Sequence, residues 1–438
     1  MKQSNYNFFF PVDDCVLAYN ARTNALAKIK KGDFKEIEKI LQDPESSDKN
    51  DLYQELMYGG FLTLDHTDEL ANIRHDMYAA RFSTDTLGLT IAPTLNCNFR
   101  CFYCYEKDVL ENKSMTDDVA NKILNFIKFK IKLINFLDIT WYGGEPLLEK
   151  ARILSLSKSI IQICEKNKVD YSAGIVTNGY LLDCETLLKL RDCKVNTIQI
   201  TLDGVAETHD KRRYLKNRGK TFDKIINNLL SLSTLYKEDK EENLPSINLR
   251  INVDKSNKND AFELLDFITE SSLSNFIAPY VAAVYDPKDI HNKYTLTANE
   301  YNKLKNQFIN KCIDDGYDIN YEAFYPIRIN SNCGCDQINS VVIDPEGNIY
   351  KCWEEIGDMD ACIGKIGDES VSNLPSCYFD YMLFDPTLDK ECSGCKVLPI
   401  CMGGGCPLRR SRDNVKGCGG YISELKHSII KSYELINR

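Results

Sequence analysis

The sequence predicts an α/β protein, in which a partial (β/α)6 barrel lies between a small winged-helix-like module and a cysteine-rich domain. Three observations support this prediction. Apolar strand-like runs alternate with amphipathic helical stretches from about residue 86 to residue 325. Three short extended runs and three helical patterns precede them. Ten of the eighteen cysteines follow them, between residues 333 and 418.

Residues 1–85 are predicted to form the winged-helix-like module. Turn-forming pairs such as Asp43-Pro44 and Gly59-Gly60 separate its helices. The predicted strands are Tyr6–Pro11, Cys15–Tyr19 and Ala25–Ile29, and the predicted helices lie near Phe34–Gln42, Asp51–Tyr58 and Asp68–Ala80.

Residues 86–325 are predicted to form the barrel, because strands that alternate with helices build βαβ units and a parallel sheet. Ligands of such sheets bind at the carboxyl ends of the strands. Residues 326–438 lose this alternation and are predicted to form the cysteine-rich domain, stabilised by metal. The six predicted strands of the barrel are Leu87–Ala92, Leu137–Trp141, Ala173–Thr177, Thr197–Leu202, Ile247–Val253 and Phe276–Val284.

The net charge of −10 argues against a nucleic-acid partner, because phosphate binding requires a basic face. The N-terminus has no basic stretch followed by a long apolar run, and no span of ~20 apolar residues is visible. We therefore expect no membrane contact and a cytoplasmic location. Disulfides are rare in that compartment, so the clustered cysteines indicate metal ligands.

The first cysteine motif has C-x3-C-x2-C spacing and follows the first predicted barrel strand. It reads Cys97-Asn-Phe-Arg-Cys101-Phe-Tyr-Cys104. A [4Fe–4S] cluster normally takes four cysteines, so three thiolates leave one iron open for a small ligand. The alternative is a zinc site with a distant fourth ligand, although no further C-x2-C pair or His lies nearby.

This motif resembles the signature of the radical S-adenosylmethionine (SAM) superfamily. The resemblance implies a barrel of radical SAM type and a [4Fe–4S] cluster held by Cys97, Cys101 and Cys104. In that family the open iron binds the amino and carboxylate groups of SAM. Reductive cleavage of SAM gives methionine and a 5′-deoxyadenosyl radical, which abstracts a hydrogen atom from the substrate.

A glycine-rich segment follows the second predicted strand and resembles the family motif that binds the SAM amino group. It consists of Gly143, Gly144, Glu145 and Pro146. The glycines allow close backbone approach, and the Glu145 carboxylate can accept hydrogen bonds from an ammonium group.

Polar residues also end the third and fourth predicted strands. Thr177 and Asn178 end the third strand and are assigned to the same SAM site. In related enzymes with a SPASM domain, a Ser at the position of Thr201 contacts the ribose, and an Arg eleven residues later faces the SAM carboxylate. The resemblance therefore implies these roles for Thr201 and Arg212, and an adenine contact for Tyr103. The alternatives are turn residues, a surface salt bridge and ordinary packing.

The second cysteine set resembles the SPASM domain, whose pattern is C-x2-C-x5-C-x3-C with a later Cys. Here the third gap has four residues, because the glycine run Gly403–Gly405 holds one residue more. Upstream, the segment from Gly347 to Cys352 matches the G-x4-C of that domain. The set comprises Cys392, Cys395, Cys401, Cys406 and Cys418.

This second resemblance implies two auxiliary [4Fe–4S] clusters, and thus three clusters in the chain. One would take Cys333 or Cys335, or both, with Cys352 and Cys406; the other would take Cys392, Cys395, Cys401 and Cys418. Two zinc sites are the alternative. The isolated cysteines are interpreted as packing residues: Cys15, Cys164, Cys184, Cys193, Cys312, Cys362 and Cys377.

The N-terminal module resembles the leader-recognition element of peptide-modifying enzymes. An edge strand offers unpaired N–H and C=O groups to an extended peptide. The strand near Leu26–Ile29 and the helix near Asp68–Ala80 are predicted to form the groove. A module that only caps the barrel is the alternative.

These resemblances favour a radical SAM oxidoreductase that modifies, by crosslinking in the main hypothesis, a ribosomally made precursor peptide bound through its leader. A sulfatase-maturing enzyme is the second hypothesis, but such enzymes have an Asp directly after the cysteine of G-x4-C, where this chain has Trp353. A non-enzymatic zinc or electron-transfer protein is the third. We also expect an electron donor such as flavodoxin or ferredoxin, and a monomer or weak dimer.

Overall fold

The computed structural model describes residues 1–238, 243–284, 293–368, 374–413 and 416–438. The chain forms two compact units. The first unit comprises Met1–Phe82, Asp318–Gln337 and Leu383–Arg438. The second unit comprises Ser83–Tyr317 and Ile338–Met382. The N-terminal segment and most of the cysteine-rich C-terminal segment therefore belong to the same compact unit.

The strands of the described residues are numbered β1 to β14 in chain order. They span Lys2–Gln3, Asn7–Pro11, Cys15–Asn20, Ala25–Lys30, Leu62–Thr63, Thr86–Ile91, Phe136–Trp141, Asp170–Thr177, Val195–Leu202, Ser246–Val253, Ile277–Ala283, Ser340–Ile343, Asn348–Tyr350 and Gly364–Lys365.

The α-helices of the same residues are numbered α1 to α14. They span Lys31–Gln42, Asp51–Tyr58, Glu69–Arg81, Asp117–Lys130, Lys150–Asn167, Cys184–Asp192, Ala206–Arg212, Phe222–Glu238, Asp260–Glu270, Ala298–Asp314, Ser376–Met382, Leu398–Cys401, Pro407–Asp413 and Cys418–Ile436.

A nine-stranded sheet organises the second unit, in the order β11-β10-β9-β8-β7-β6-β12-β13-β14. Strands β6 to β11 are all parallel to their neighbours, and helices connect them. The predicted alternation of six strands with helices is confirmed, and the strand ends differ from the predicted ones by at most three residues. The chain is thus an α/β protein with a mostly parallel central sheet.

Alternating side chains explain how these strands pack. In β6, Leu87, Leu89 and Ile91 are buried, whereas Gly88 and Thr90 are partly exposed. A strand that covers apolar residues on one face and keeps polar residues on the other has this period of two. The polar face and the strand ends remain for a site.

The sheet also includes a segment that the sequence assigned to the cysteine-rich domain. Strand β12 pairs with β6 in parallel, and β13 and β14 follow in antiparallel order. A turn at residues 344–347 joins β12 to β13, and a hydrogen bond of 3.0 Å from Gly347 N to Asp344 O closes it. Cys352 consequently lies in the second unit.

The first unit contains the antiparallel sheet β2-β3-β4. The three predicted strands and three predicted helices of residues 1–82 are present as β2–β4 and α1–α3. The predicted order is incomplete, because the two-residue strands β1 and β5 precede β2 and separate α2 from α3, and the winged-helix character stays a prediction. One face of β3, including Val16 and Ala18, packs on α1 and α2. The other face, including Leu17 and Tyr19, joins a core with α3 and the C-terminal segment.

This second core explains why distant segments form one unit. Its buried members come from the N-terminal sheet, from α3 and from the region of α12 and α14. A truncation at residue 85 would expose the apolar side chains of the C-terminal part. They include Leu398, Ile400, Leu425 and Ile429, which lose their N-terminal partners Leu17, Tyr19, Ile73 and Met77.

The predicted boundaries at residues 85 and 325 divide the chain differently from the two compact units, and the domain functions attached to them stay predictions. None of the helices in the described ranges combines the length and the hydropathy that a membrane span requires.

Candidate functional site

The Cys97–Cys104 loop follows β6, at the carboxyl end of the parallel sheet. The segment after α7 holds it in place. Arg100 N donates to Tyr214 O at 2.8 Å, and an antiparallel bridge joins Phe99 to Leu215. Within the loop, Cys104 N donates to Cys101 O at 3.2 Å. The backbone that carries the three cysteines is therefore fixed by a neighbouring segment.

The three thiols of this loop share a buried, mutually interacting environment. Burial raises the pKa of Cys97, and the charges of Glu145 and the two other cysteines raise it further. Burial raises the pKa of Cys104 to about 12, with Glu106 as the next cause. Burial likewise raises the pKa of Cys101. Thiolates here require a cation to bind, as a cluster of iron ions would supply.

Two glycines bring the second strand end against this loop. Gly143 has a φ of +94°, and a Cβ there would lie 2.6 Å from Thr94 O. A Cβ on Gly144 would lie 2.3 Å from Asn96 O. Only glycine allows this approach, which positions Glu145 N to donate to Asn96 O at 2.9 Å. The loop before Cys97 is consequently fastened to this segment.

The Glu145 side chain is 1% exposed and caps the short 3₁₀ helix that begins at Pro146. Its Oε1 accepts from Leu147 N at 3.0 Å and from Thr177 Oγ1 at 2.7 Å. Its Oε2 accepts from Asn178 N at 2.8 Å. Burial raises the pKa of Glu145, whereas these donors lower it. The carboxylate thus ties the second strand end to the third.

Asn178 continues this chain of contacts to the cysteine loop. Its side-chain amide donates at 2.8 Å to Oδ1 of Asn98, the residue that directly follows Cys97. The predicted residues Thr177 and Asn178 are both buried. The structure thus brings the glycine-rich segment, the third strand end and the cysteine loop together.

The fourth strand end carries Asp203, which is fully buried. Its Oδ1 accepts from Tyr103 OH at 2.8 Å, and its Oδ2 accepts from Arg212 Nε at 2.9 Å. Tyr103 OH also accepts from Arg213 Nη1 at 2.8 Å and from Asn252 Nδ2 at 3.0 Å. Tyr103, from the cysteine motif, is therefore held by a polar network of strand ends.

Arg212 is a buried cation with two carboxylate partners. Its Nη1 donates to Asp254 Oδ2 at 2.9 Å, in addition to the bond from Nε to Asp203. Its guanidinium carbon lies 4.9 Å from the ring centroid of Phe102. Its Nη2 is buried and has no hydrogen-bond partner among the described residues. This remaining donor fits an additional acceptor, as the carboxylate of SAM would provide.

Thr201 lies on β9 and is 6% exposed, next to Arg250 of β10 in the sheet register. Its placement at the same strand end as Asp203 agrees with the predicted cluster of polar residues. The structure gives no direct bond between Thr201 and the cysteine loop.

Sequence reasoning missed three residues of this network: Arg213, Asn252 and His209. His209 is fully buried and accepts from Asp203 N at 3.3 Å, while its other ring nitrogen lies 3.1 Å from Thr221 Oγ1. Burial and the two neighbouring arginines hold the pKa of His209 well below its usual range. Only the pair of consecutive arginines after the fourth strand end signalled this network in the sequence.

An aromatic pair lies beside the glycine-rich segment. Tyr142 directly precedes Gly143, and its ring stacks on Trp353 with centroids 5.1 Å apart and planes at 14°. The charges that act on the pKa of Tyr142 include both Cys104 and Cys352. Trp353, which replaces the carboxylate of the sulfatase-maturing pattern, is 42% exposed.

The predicted ligands of the auxiliary clusters divide between the units. The four predicted ligands of one auxiliary cluster are all in the first unit, where Cys392 and Cys401 are buried in its core and Cys395 packs against it. Charges of Cys395 and Cys418 act on the pKa of Cys401, which burial raises. The structure therefore brings Cys392, Cys395, Cys401 and Cys418 into one neighbourhood.

The ligands of the other auxiliary cluster come from both units. Cys333, Cys335 and Cys406 lie in the first unit and Cys352 in the second, so this ligand set stays a prediction. In the parts of the chain that the structure describes, no three Cys, His, Asp or Glu side chains converge on one metal ion. Zinc ligands all bind a single ion, whereas cysteines of a cubane bind different irons.

The sequence of the chain is similar to a known protein family and to two characterised enzymes. Residues 91–267 match the Radical SAM superfamily. The chain is 25% identical over 358 residues to a cysteine-type anaerobic sulfatase-maturating enzyme of Clostridium novyi (strain NT), which covers 75% of this chain and 89% of that enzyme. It is 30% identical over 183 residues to an Fe-coproporphyrin III synthase of Methanosarcina barkeri, with 41% and 40% covered.

Two solved structures share the fold. The structure of anSMEcpe with bound AdoMet and the Cp18Cys peptide has a TM-score of 0.60 at 18% identity, covering 80% of this chain and 98% of that chain. The structure of Streptococcus suis SuiB bound to precursor peptide SuiA has a TM-score of 0.52 at 15% identity, covering 93% and 96%. Residues 91–267 therefore carry a radical SAM domain, which supports an enzymatic function for the chain.

Proposed function

We propose that this enzyme oxidatively crosslinks residues of a ribosomally made precursor peptide. Cys97, Cys101 and Cys104 would hold a [4Fe–4S] cluster, which together with SAM would supply the radical chemistry that removes a hydrogen atom from the peptide. The protein's own residues bind SAM and orient the peptide. Trp353 stands where sulfatase-maturing enzymes have a proton acceptor, so this position supplies no base.

The polar strand ends are proposed to bind SAM. Gly143 and Gly144 bring their backbone close to the cysteine loop. Among the described residues Glu145 Oε2 accepts one hydrogen bond, from Asn178 N, which leaves room for the SAM ammonium. Arg212 Nη2 supplies a buried donor for the SAM carboxylate. Thr201 and Tyr103 remain the proposed ribose and adenine contacts.

The observation that carries the choice of a peptide crosslink is the aromatic residue after Cys352. The sulfatase-maturing resemblance requires a carboxylate there to take a proton. Trp353 cannot accept a proton, and it stacks on Tyr142 beside the glycine-rich segment. The exposed ring of Trp353 favours contact with apolar or aromatic side chains of a substrate.

The first unit offers a second feature that supports a peptide substrate. Strand β4 is an edge of the β2-β3-β4 sheet, and a groove of about 920 Å³ lies beside it. The helix near Asp68–Ala80, predicted as the second wall, does not line this groove, and α3 packs into the core through Ile73 and Met77. A peptide groove that includes this helix stays a prediction. The groove is lined by Asn24, Leu26, Tyr321, Glu322, Tyr325, Ile327, Arg328 and Ile436.

We propose that the leader of the precursor adds a strand to β4 and places an apolar side chain in this groove. The Leu26→Glu variant introduces a charge on the groove wall and is expected to weaken precursor binding at least 10-fold while SAM cleavage continues. Leu64→Glu is the matched control, because Leu64 lies in the same unit, outside the groove, and is already exposed. Equal precursor affinity in both variants would contradict this leader site.

A sulfatase-maturing activity is the second candidate, and the similarity to the Clostridium novyi enzyme favours it. The auxiliary clusters proposed on the second cysteine set suit either activity, because both are oxidations that release electrons to an acceptor. An external donor such as flavodoxin or ferredoxin is proposed to reduce the first cluster in both cases.

Mass spectrometry distinguishes the two candidates. The reconstituted enzyme is incubated with SAM, reductant and either short peptides translated from the open reading frames beside its gene or a cysteine-containing sulfatase-type peptide. The crosslinking proposal expects loss of two hydrogen atoms from the precursor and a linked fragment-ion pattern. Formylglycine in the sulfatase-type peptide, with an unchanged precursor, would overturn it.

A further inference from the structure

Two buried arginines of the first unit lie beside predicted ligands of an auxiliary cluster. Arg81, at the end of α3, is 0% exposed, and Arg410 of α13 is 8% exposed. Arg81 Nη1 donates to Phe384 O, and the Arg410 guanidinium carbon lies 3.8 Å from the centroid of the Phe384 ring. Phe384 therefore contacts both guanidinium groups.

Both arginines lie near predicted cysteine ligands, Arg410 along the chain and Arg81 in space. Arg410 N donates to Cys406 O at 3.3 Å, one helical turn after that cysteine. Arg81 Nη2 lies 3.5 Å from Asp336 Oδ2, and Asp336 directly follows Cys335. The charges that act on the pKa of Arg410 include those of Cys335 and Cys406.

Three N–H-bearing nitrogens of these two side chains are buried without an acceptor. They are Nε and Nη2 of Arg81 and Nε of Arg410. Leaving a buried donor of a charged group unsatisfied is costly, so native structures usually supply a partner. Arg81 Nη2 has only the long contact to Asp336, beyond good hydrogen-bond geometry.

The charges around the two arginines are also unbalanced. Arg81 and Arg410 are both buried cations, and the carboxylate of Asp336 lies 3.5 Å from Arg81 Nη2. Asp336 is itself engaged by Ser331 Oγ at 2.6 Å and Asn332 N at 3.2 Å. A buried excess of positive charge requires an anion, and a thiolate-bound iron–sulfur cluster carries net negative charge with sulfurs that accept hydrogen bonds.

We propose that Arg81 and Arg410 form the hydrogen-bond-donating side of the auxiliary cluster held by Cys335 and Cys406, and that they raise its reduction potential. This inference rests on the proposed function, because it requires that auxiliary cluster. Positive charges and N–H donors stabilise the reduced, more negative state of a cluster more than its oxidised state. A higher potential is the property that an electron acceptor needs. Both arginines are positioning and tuning residues, not catalytic ones.

The test measures reduction potentials rather than activity. The Cys97→Ala/Cys101→Ala/Cys104→Ala variant keeps only the auxiliary clusters and serves as the background. Midpoint potentials are determined by titration followed by electron paramagnetic resonance. Arg81→Gln and Arg410→Gln are each expected to shift one auxiliary potential to more negative values and to leave the other unchanged.

Arg74→Gln is the matched control, because Arg74 lies on the same helix but pairs with Asp385 and Thr387. Arg410→Lys keeps the charge and removes the fork of donors, so its shift should be smaller than that of Arg410→Gln. It also keeps the test possible if Arg81→Gln fails to fold.

Unchanged auxiliary potentials in Arg81→Gln and Arg410→Gln, or equal shifts in Arg74→Gln, would overturn the inference. Tightly bound zinc in place of iron at this site would overturn it as well. A wild-type enzyme that leaves every precursor unmodified, but shows the expected shifts, would count against the crosslinking function alone.

Discussion

The two cysteine-rich regions of this protein are held in different ways. The Cys97–Cys104 loop lies at strand ends of the second unit, where buried polar side chains such as Glu145 and Asp203 fasten it through hydrogen bonds. The Cys392–Cys418 segment lies in the first unit, where Cys392 and Cys401 are packed in an apolar core. One region is thus positioned by a polar network and the other by apolar packing.

This difference predicts which of the two regions depends on its metal for folding. The polar network joins rigid parallel strands, so the loop geometry is fixed by elements that fold without iron. The C-terminal segment contains α12, a four-residue helix, which is too short to be stable by itself. We expect iron to contribute more to the folding of the second region than of the first.

The largest expected effect comes from replacing the ligands of the first region. Cys97→Ala/Cys101→Ala/Cys104→Ala should abolish SAM cleavage and remove about one third of the iron, since three similar clusters are expected. The melting temperature should change little, because the polar network remains. By contrast, Cys392→Ala/Cys401→Ala should lower the melting temperature as well as the iron content, because both side chains are in the core. Cys184→Ser, at a partly exposed position, is the control.

If the triple replacement lowered the melting temperature as much as the Cys392/Cys401 pair, the contrast between the two regions would be broken. Iron analysis, 5′-deoxyadenosine formation and thermal unfolding on the same preparations decide this.

Asp203→Asn is expected to have the next largest effect. The change leaves Arg212 with an uncompensated part of its buried charge and weakens the contact to Tyr103. Breaking a buried ion pair typically costs about 3–5 kcal/mol of stability. Chemical denaturation followed by circular dichroism would measure it. Asp192→Asn is the control, because Asp192 forms an exposed pair with Arg191 and should leave stability nearly unchanged.

Glu145→Gln sharpens the comparison further, because it alters the network without touching an iron ligand. A charge-assisted hydrogen bond contributes roughly 1.5–3 kcal/mol, so its loss should lower SAM affinity on the order of 10- to 150-fold. Arg212→Lys should also lower SAM affinity, since it loses the planar fork. Cluster absorbance should survive in both variants. Wild-type SAM affinity in Glu145→Gln, measured against the exposed control Glu185→Gln, would leave the glycine-rich segment with a structural role only.

The smallest expected effect is a pH dependence of the network. Burial holds the pKa of His209 well below 6.5, so below that pH the unfolded chain binds a proton that the folded one does not. Stability should therefore fall as the pH decreases through 6.5, by at most about 1.4 kcal/mol per pH unit. Burial raises the pKa of Glu106 to about 7, which acts in the opposite direction.

Comparison of variants separates these two contributions. Between pH 7.5 and 6.0, His209→Gln should show a smaller decrease in melting temperature than the wild type. His66→Gln, at an exposed position, should follow the wild type. A steeper decrease in His209→Gln would mean that His209 is charged in the folded protein.

The sequence alone determined the second unit's alternation of strands and helices, and the position of each motif at a strand end. Both are local properties: the period of two in β6 and the glycines before Glu145 depend on neighbours in the chain. Because parallel strands end at the same edge, motifs far apart in the sequence could be predicted to meet there.

Only the tertiary structure decided which distant side chains meet. The shared core of Leu17, Met77 and Leu425, the addition of β12 to β6, and the pairing of Arg81 with Asp336 all join segments separated by more than 200 residues. Such contacts form because apolar area and buried charge must be covered in three dimensions, and neither leaves a periodic signal in the sequence. The groove beside β4 has the same origin, since its second wall comes from Tyr321 and its neighbours rather than from the adjacent helix α3.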